Sequence, residues 1–340
     1  MAGMNLGLPY DEEIFNYQWK NTPDLVLTSM LESGAVVRDA EIERLISNGS
    51  NFFTTPYYDV LGGDEDVYNG VNDFTDGTIG GGTYSGVVYG RMKKWSAKTF
   101  IKDFNSGADP MAQIIAGVAQ YWQKARQKRL IGILEAIFGI TGDTEFATHI
   151  TNVASAEATV SEDNLMGITT VSDAMVKACG DNAHGFTLAI MHSVVANRLA
   201  NLQLLEFSKY TDQAGLTRNL PIGTVNGMTV IVNDNVPVVD SETATGEKEY
   251  ATYVLGLGAI RYASAPVDQP SEMDRDPNKN GGVDMIYTRI RECFTPHGFS
   301  FKGDVTTDVG IPDDILFDSE NWERTAPAKS IMMAKIVTNG

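Results

Sequence analysis

The stretch from Asp109 to Gly139, DPMAQIIAGVAQYWQKARQKRLIGILEAIFG, constrains this chain more than any other. Asp109 is a natural N-cap, and Pro110 falls at the first helical position, where a missing N–H costs nothing. Apolar residues recur at Met111, Ile114 and Ile115, Val118, Tyr121 and Trp122, Ala125, Leu130, Ile133 and Leu134, and Ile137 and Phe138. That is a helical period with one slip at the basic centre, and Gly139 offers a left-handed stop. At ~1.5 Å per residue the helix runs roughly 43 Å, well over twice the usual globular helix of about 11–12 residues. A helix of that length in mid-chain, without heptads, reads as a spine carrying two or more layers.

The chain has 340 residues, 43% of them hydrophobic, enough for two domains or one elongated one. Its 26 Lys and Arg face 44 Asp and Glu, a formal charge of −18, with a pI near 4.6. Such a surface excludes sequence-specific DNA reading, which needs a basic footprint, but not the mere enclosure of nucleic acid. It also keeps a dilute chain soluble and monomeric, so assembly has to come from local charge matching or apolar contact. Cys179 and Cys293 lie far apart with no CxxC spacing, as expected of free thiols in a reducing compartment. The opening MAGMNLGLPYDEEIF has no basic n-region and no apolar h-region. No apolar run approaches the roughly 18 residues of a membrane span. A soluble protein made in a cytoplasm is expected.

Residues 1–37 show little periodicity and read as an extended arm. DAEIERLIS (39–47) is a short helix capped by Asp39, with Ile42, Leu45 and Ile46 inward and Gly49 ending it. FFTTPYYDV (52–60) is extended, with Pro56 demoting it to an edge. Nine glycines then fall in 61–90 among Asp64, Glu65, Asp66, Asp73 and Asp76. A protruding two-stranded loop with Gly80 to Gly82 at its tip fits that composition, as does flexibility for the glycines. The return strand alternates Trp95, Ala97, Thr99 and Ile101 with Lys94, Ser96, Lys98, Phe100 and Lys102. Charge is segregated: 59–76 holds six acids and no base, 91–102 five bases and no acid. Two solvated faces account for this. So does docking between copies, acids of one against bases of the next, because an isolated hairpin is marginal in water. The candidates are Asp64, Glu65, Asp66, Arg91, Lys94, Lys98 and Lys102. Lys124, Arg126, Lys128 and Arg129 form a basic waist on the spine that is either solvated or bridges to a neighbour or a polyanion.

Further on, 166–180 reads as a second helix, 186–193 as a buried strand and 194–210 as a third helix. Asn226-Gly227 marks a hairpin within 222–240, and 250–264 reads as a strand pair. A polar loop (274–282) precedes 283–303, a long strand with a return strand after Thr-Pro-His-Gly. A strand-capable C-terminus spans 321–339. The order argues for an α+β fold, mainly antiparallel and not built from βαβ repeats. Gly256-Leu-Gly258-Ala-Ile-Arg261 lacks the third glycine of a dinucleotide fingerprint, and Pro266 stands where its helix should be. There is no phosphate-binding loop, nucleophile elbow or zinc-protease motif. His149, His184, His192 and His297 are scattered and read as structural. Asp313-Asp314 and Asp64-Glu65-Asp66 read as solvated loop acids, or at most a weak cation site. No catalytic residue, cofactor or metal is expected.

Five segments in order resemble the major capsid proteins of tailed bacteriophages, the Hong Kong 97-like fold. NFFTTPYYDVLGGDEDVYNG resembles the entry to their extended loop, and DPMAQIIAGVAQYWQKARQKRLIGIL their spine helix. FTLAIMHSVVANRL resembles the core of their axial domain, and VNGMTVIVNDNVP with YATYVLGLGAI its later strands. MIYTRIRECFTPHGFSF resembles the long strands returning to the peripheral domain. The resemblance covers roughly 50–338. It implies an N-terminal arm (1–50), an extended β-hairpin loop (51–104), a peripheral domain (105–165 and 283–340, spine 110–138) and an axial domain (166–282). The spine's apolar stripe should pack on 283–303. It further implies a non-enzymatic subunit forming hexamers and pentamers of an icosahedral shell around double-stranded DNA, assembled in the host cytoplasm and kept in the virion. The implied partners are further copies, a portal protein and a separate scaffolding protein, since no long helical segment precedes residue 1 unless the chain is already processed. There is room for a decoration protein. Some relatives crosslink through a loop lysine; Lys93, Lys94 and Lys98 lie in that region, but no matching asparagine or acid is recognisable, so no such site is carried over. The alternatives are an encapsulin-type compartment shell, which the long chain with its large loop disfavours, and an acidic cytoplasmic enzyme.

Overall fold

In the computed structural model, Pro110–Phe138 is one uninterrupted helix of 29 residues. The structure describes residues 15–17, 19, 22–58, 61, 64–71, 73–100, 110–155, 159–167, 169–211, 217–241, 247–303 and 310–340. Asp109, Asp59, Ile101, Lys102 and the arm as far as residue 14 lie outside them.

Ahead of the spine, helix α1 (Leu25–Glu32) starts at Asp24, which accepts the Leu27 N–H at 3.0 Å. Strand β1 (Val36–Arg38) leads to α2 (Ala40–Ile46), capped by Asp39 as expected. Ile42 and Ile46 of α2 are buried, while Leu45 is exposed. Strands β2 (Phe52–Tyr58) and β3 (Gly81–Val87) form an antiparallel ribbon, and β4 (Tyr89–Lys98) carries the chain past Val88 into another sheet. This corrects two expectations. Gly81 and Gly82 are in β3 rather than at a tip, and aromatic rings of β2 lie across its glycines. A Cβ on Gly82 would meet the Tyr57 hydroxyl at 2.9 Å, and one on Gly86 the Phe53 ring at 2.3 Å. The tip is instead the long loop between the strands. The basic return strand does not pair with the acidic limb; all ten residues of β4 pair with a later strand.

After the spine, α3, the chain forms β5 (Ile150–Asn152), α4 (Thr170–Cys179), β6 (Phe186–Met191) and α5 (Ser193–Asn201). The third helix is shorter than its pattern suggests. Gln203 turns left-handed (φ 59°), and EFSKY becomes strand β7 (Glu206–Thr211), paired with β8 (Thr217–Val225). The Asn226-Gly227 turn then leads to β9 (Met228–Val232), as expected of that dipeptide. The strands β10 (Val238–Asp240), β11 (Lys248–Gly256), β12 (Ile260–Ala265), β13 (Ser271–Asp276) and β14 (Val283–Pro296) follow. Last come β15 (Phe299–Phe301), α6 (Asp313–Leu316), β16 (Trp322–Arg324) and β17 (Met333–Thr338).

These strands build an eight-stranded sheet, β5-β17-β11-β6-β9-β8-β7 with β10 on β11, and a five-stranded sheet, β1-β12-β14-β13 with β4 on β14. The run 250–264 is therefore not a strand pair: β11 and β12 lie in different sheets, and Gly258 (φ 67°) makes the turn between them. Nor does β15 return along β14; it pairs with β16. β17 lies between β11 and β5 in the eight-stranded sheet, although 283–340 reads in sequence as one peripheral segment. Most pairs are antiparallel; β1 with β12, β6 with β9, and β17 with β5 are parallel.

The spine joins the layers through two halves of one face. Val118 and Trp122 lie on the five-stranded sheet against Ile286, and the Trp122 indole N–H donates to Thr288 Oγ1 at 3.0 Å. Leu130, Ile133, Leu134 and Ile137 are fully buried in a core shared with Tyr253, Phe299 and Trp322. Burial of each such side chain contributes roughly 1.5–3 kcal/mol. The helix thus meets the 283–303 segment in both halves, at β14 and at β15.

Candidate assembly surfaces

The basic waist divides by helical period. Positions 122, 126 and 129 share the inward face of α3, whereas Lys124 and Lys128 are exposed. Arg126 donates through Nε to Glu292 Oε1 at 2.9 Å, and its two terminal nitrogens reach Glu292 and Asp24 at 2.5 and 2.9 Å. Glu292, only 3% exposed, also accepts the Tyr262 hydroxyl at 3.1 Å. Burial opposes the Arg126 charge, but the Glu292 carboxylate outweighs it, so the pKa ends above the ordinary arginine value. Arg129 is 6% exposed, 5.3 Å from the Tyr89 ring centre and 3.7 Å from Asp313. Arg91 binds the same Asp313 oxygen at 2.5 Å. Arg91, Arg126 and Arg129 thus have acid partners inside their own chain, two of them on Asp313, which read in sequence as a solvated acid.

The tip loop is the opposite case. Asp64, Glu65 and Asp66 are exposed, and around them Val67, Tyr68, Val71 and Phe74 project their side chains into solvent, Tyr68 at 97% and Phe74 at 90% exposure. Large apolar side chains this bare stand out against the surface of a single chain. Asp66 ties the loop together, accepting the Thr75 N–H at 2.5 Å and its hydroxyl at 2.9 Å. Those bonds hold its carboxyl below the usual aspartate range. The base of the ribbon is anchored on its own chain, Tyr57 Oη donating to the Thr325 carbonyl and the Ser85 N–H to Ser300 Oγ, each at 3.0 Å. Across the molecule, Lys94 and Lys98 are exposed on β4; Lys102 lies outside the described residues.

Sequence motifs with chemical overtones resolve into structure. His149 is fully buried, its Nδ1 2.7 Å from the Met333 carbonyl, and burial pushes its pKa down. His192 caps α5, its Nδ1 accepting the Val194 N–H at 3.2 Å. The Gly256–Gly258 turn leads into a strand, so no helix N-terminus awaits a pyrophosphate. A groove of about 640 Å³ between α1, α3 and β12 is lined by Trp19, Trp122 and the Arg126–Glu292–Asp24 cluster. Among its described charges, those three groups are spent on one another. Among the described residues no group of three or more His, Cys, Asp or Glu is placed to hold a metal, and no helix is long and apolar enough to cross a membrane. Sequence reasoning missed Glu292 and Asp24; the alternation that puts Glu292 on the same side of β14 as Ile286, Thr288 and Ile290 was the available signal for the first.

No protein-family model matches the chain. The major capsid protein of Bacillus phage SPP1 is 28% identical over 325 residues, covering 95% of this chain and 94% of that protein. The capsid of Ralstonia phage GP4 superposes at a TM-score of 0.55 and 12% identity, covering 91% of this chain and 88% of the other. An encapsulin complex from Synechococcus elongatus is more distant, at a TM-score of 0.46 and 9% identity over 94% and 88% of the two chains. Spine, ribbon and paired sheets carry the architecture, and the likeness in sequence runs nearly end to end. The chain has the Hong Kong 97-like α+β fold and is a relative of tailed-phage major capsid proteins.

Proposed function

We propose that this chain is the wall-building subunit of a phage head, assembling as hexamers and pentamers into an icosahedral shell that encloses double-stranded DNA. The near full-length likeness to a phage major capsid protein carries this reading. The bare tip loop supports it, because among the described residues nothing covers its apolar side chains. The role is structural, without catalysis. Assembly takes place in the host cytoplasm with a separate scaffolding protein and a portal, and a decoration protein has room to bind outside. In this scheme the outreaching loop is the stretch between β2 and β3, and the peripheral domain is the spine with the five-stranded sheet, which takes in β1 and β4 from the segments that read in sequence as arm and loop. The axial domain is the eight-stranded sheet with α4 and α5, from residue 166 to the end of β11, joined by β5 and the last strand, while β12 and β13 go with the peripheral sheet. Lys124 and Lys128 remain the waist residues free to meet a neighbour or DNA.

Negative-stain microscopy of the protein produced with its scaffold is expected to show closed shells or capsomers. Monomers and small oligomers under every assembly condition would refute the proposal. Mass spectrometry of purified particles separates a phage head, with DNA, portal and tail proteins, from an encapsulin-type compartment holding a cargo enzyme.

A further inference from the structure

The chain holds five Asn–Gly pairs, at 48–49, 69–70, 226–227, 280–281 and 339–340. In such a pair the glycine nitrogen can close on the asparagine side-chain carbon, because no Cβ on the glycine obstructs the approach. Ring closure needs a carboxamide free to rotate, a glycine N–H not donated elsewhere, and a backbone able to leave its resting turn. Four of the five pairs lack at least one of these. Asn339 is 7% exposed and fixed at both ends, Oδ1 accepting the Ser155 N–H at 2.7 Å and Nδ2 donating to the Lys248 carbonyl at 3.3 Å. Behind α2, the Gly49 N–H donates to the Ile46 carbonyl at 3.2 Å. Asn69 Oδ1 accepts the Val71 N–H at 2.9 Å, which holds its carboxamide along the chain. Asn226 (φ 49°) turns with Gly227 while Val225 pairs with Met228 directly across them, so this turn opens only by breaking the end of the β8–β9 ladder.

Asn280 meets all three conditions. The β13–β14 ladder closes at Asp276 and Val283, leaving six residues in the loop. The Gly282 N–H closes the turn on the Lys279 carbonyl at 2.9 Å and bypasses Gly281. No described residue bonds the Gly281 N–H or the Asn280 carboxamide. Both residues are exposed, and a Cβ on Gly281 would meet nothing within 4 Å. Asn280, Gly281 and Gly282 are all left-handed, at φ 50°, 75° and 114°, a region that a residue with a Cβ occupies at a cost and leaves readily.

We propose that Asn280 is a self-modifying site, where the chain converts an amide to an acid without an enzyme. Once solvent base takes the Gly281 amide proton, the nitrogen attacks Asn280 Cγ. The new C–N bond closes a five-membered imide, the carboxamide C–N bond breaks, and its nitrogen takes a proton from solvent and leaves as ammonia. Water then adds to either imide carbonyl, giving aspartate from one and isoaspartate from the other. One water is consumed and one ammonia released, with no change of oxidation state. Segment 274–282 is formally neutral, Asp274 and Asp276 against Arg275 and Lys279. Conversion leaves it negative, and the isoaspartate form adds a carbon to the backbone. One hairpin end of the five-stranded sheet thus carries a slow, one-way change of charge that needs no partner.

Peptide mapping by mass spectrometry tests this on the full unaltered chain, held in mildly alkaline and in mildly acidic buffer and then digested with pepsin in acid. Asn280 is expected to convert about tenfold faster than any of the other four, to both aspartate and isoaspartate, and faster in the alkaline buffer. Asn280→Gln, which would have to close a larger ring, is expected to remove the leading acidic species from ion-exchange profiles with unchanged circular dichroism. Conversion led by Asn69 or Asn226, spread evenly over the exposed pairs or absent at Asn280 would overturn the proposal. So would acidic species that persist in Asn280→Gln.

Discussion

Glu292 shows how one buried acid organises its surroundings. Its carboxylate receives Arg126 from the spine and the Tyr262 hydroxyl from β12, so three elements meet at a single oxygen. Truncating one partner of a buried pair strands the other charge, at a cost of about 3–5 kcal/mol. Glu292→Ala is therefore expected to lose that much by urea denaturation, whereas Arg126→Met with Glu292→Leu should lose much less. His149 makes a second residue-scale statement. Because burial holds its folded pKa below the unfolded value of about 6.5, the unfolded chain takes up the proton first. Stability is then complete above about pH 6.5 and falls as pH drops through that value. His149→Gln should flatten this part of the pH profile, and an unchanged profile would remove His149 from the account.

Among the elements, the spine was the most legible in sequence, because its apolar period, its start at Pro110 and its end at Phe138 agree with its packing, although Gly139 closes it without the left-handed backbone expected there. Its basic waist was less so. A cluster of Lys and Arg reads as one surface, but the helical period sends Arg126 and Arg129 inward, and the acids that draw them there come from residues 24, 292 and 313. Strand partners were the least legible, since β11 and β12 are contiguous in sequence yet belong to sheets on different layers. The ribbon glycines were misread for the same reason: their need is set by rings thirty residues away. Gly86→Ala would force its Cβ into the Phe53 ring, and overpacking of this kind costs about 1–3 kcal/mol. Faster hydrogen exchange confined to β2 and β3 is the expected signature. Leu134→Ala, at the point where the spine meets the main core, should cost about 2–5 kcal/mol and slow no particular region.

For the whole molecule, the balance is between a strongly acidic surface that keeps single copies apart and a few complementary patches that bring them together. Exposed charge pairs are screened over a Debye length of about 10 Å at 0.1 M salt. Assembly driven by exposed charges should therefore weaken as salt rises, until burial of exposed apolar side chains such as Tyr68 and Phe74 takes over as the main term. Light scattering across a salt series reads this directly, and a rate independent of salt would remove electrostatics from the assembly step. The fold class and the shell role were open to sequence reasoning because both rest on the order of long elements. The sheet face that β4 completes was not, because it exists only once β4 has been placed on β14.

Cryo-microscopy of particles formed with the scaffold tests the central claim most directly. The account predicts closed shells of hexamers and pentamers, each subunit showing the 29-residue spine. A protein that stays monomeric under conditions where its scaffold assembles would contradict it.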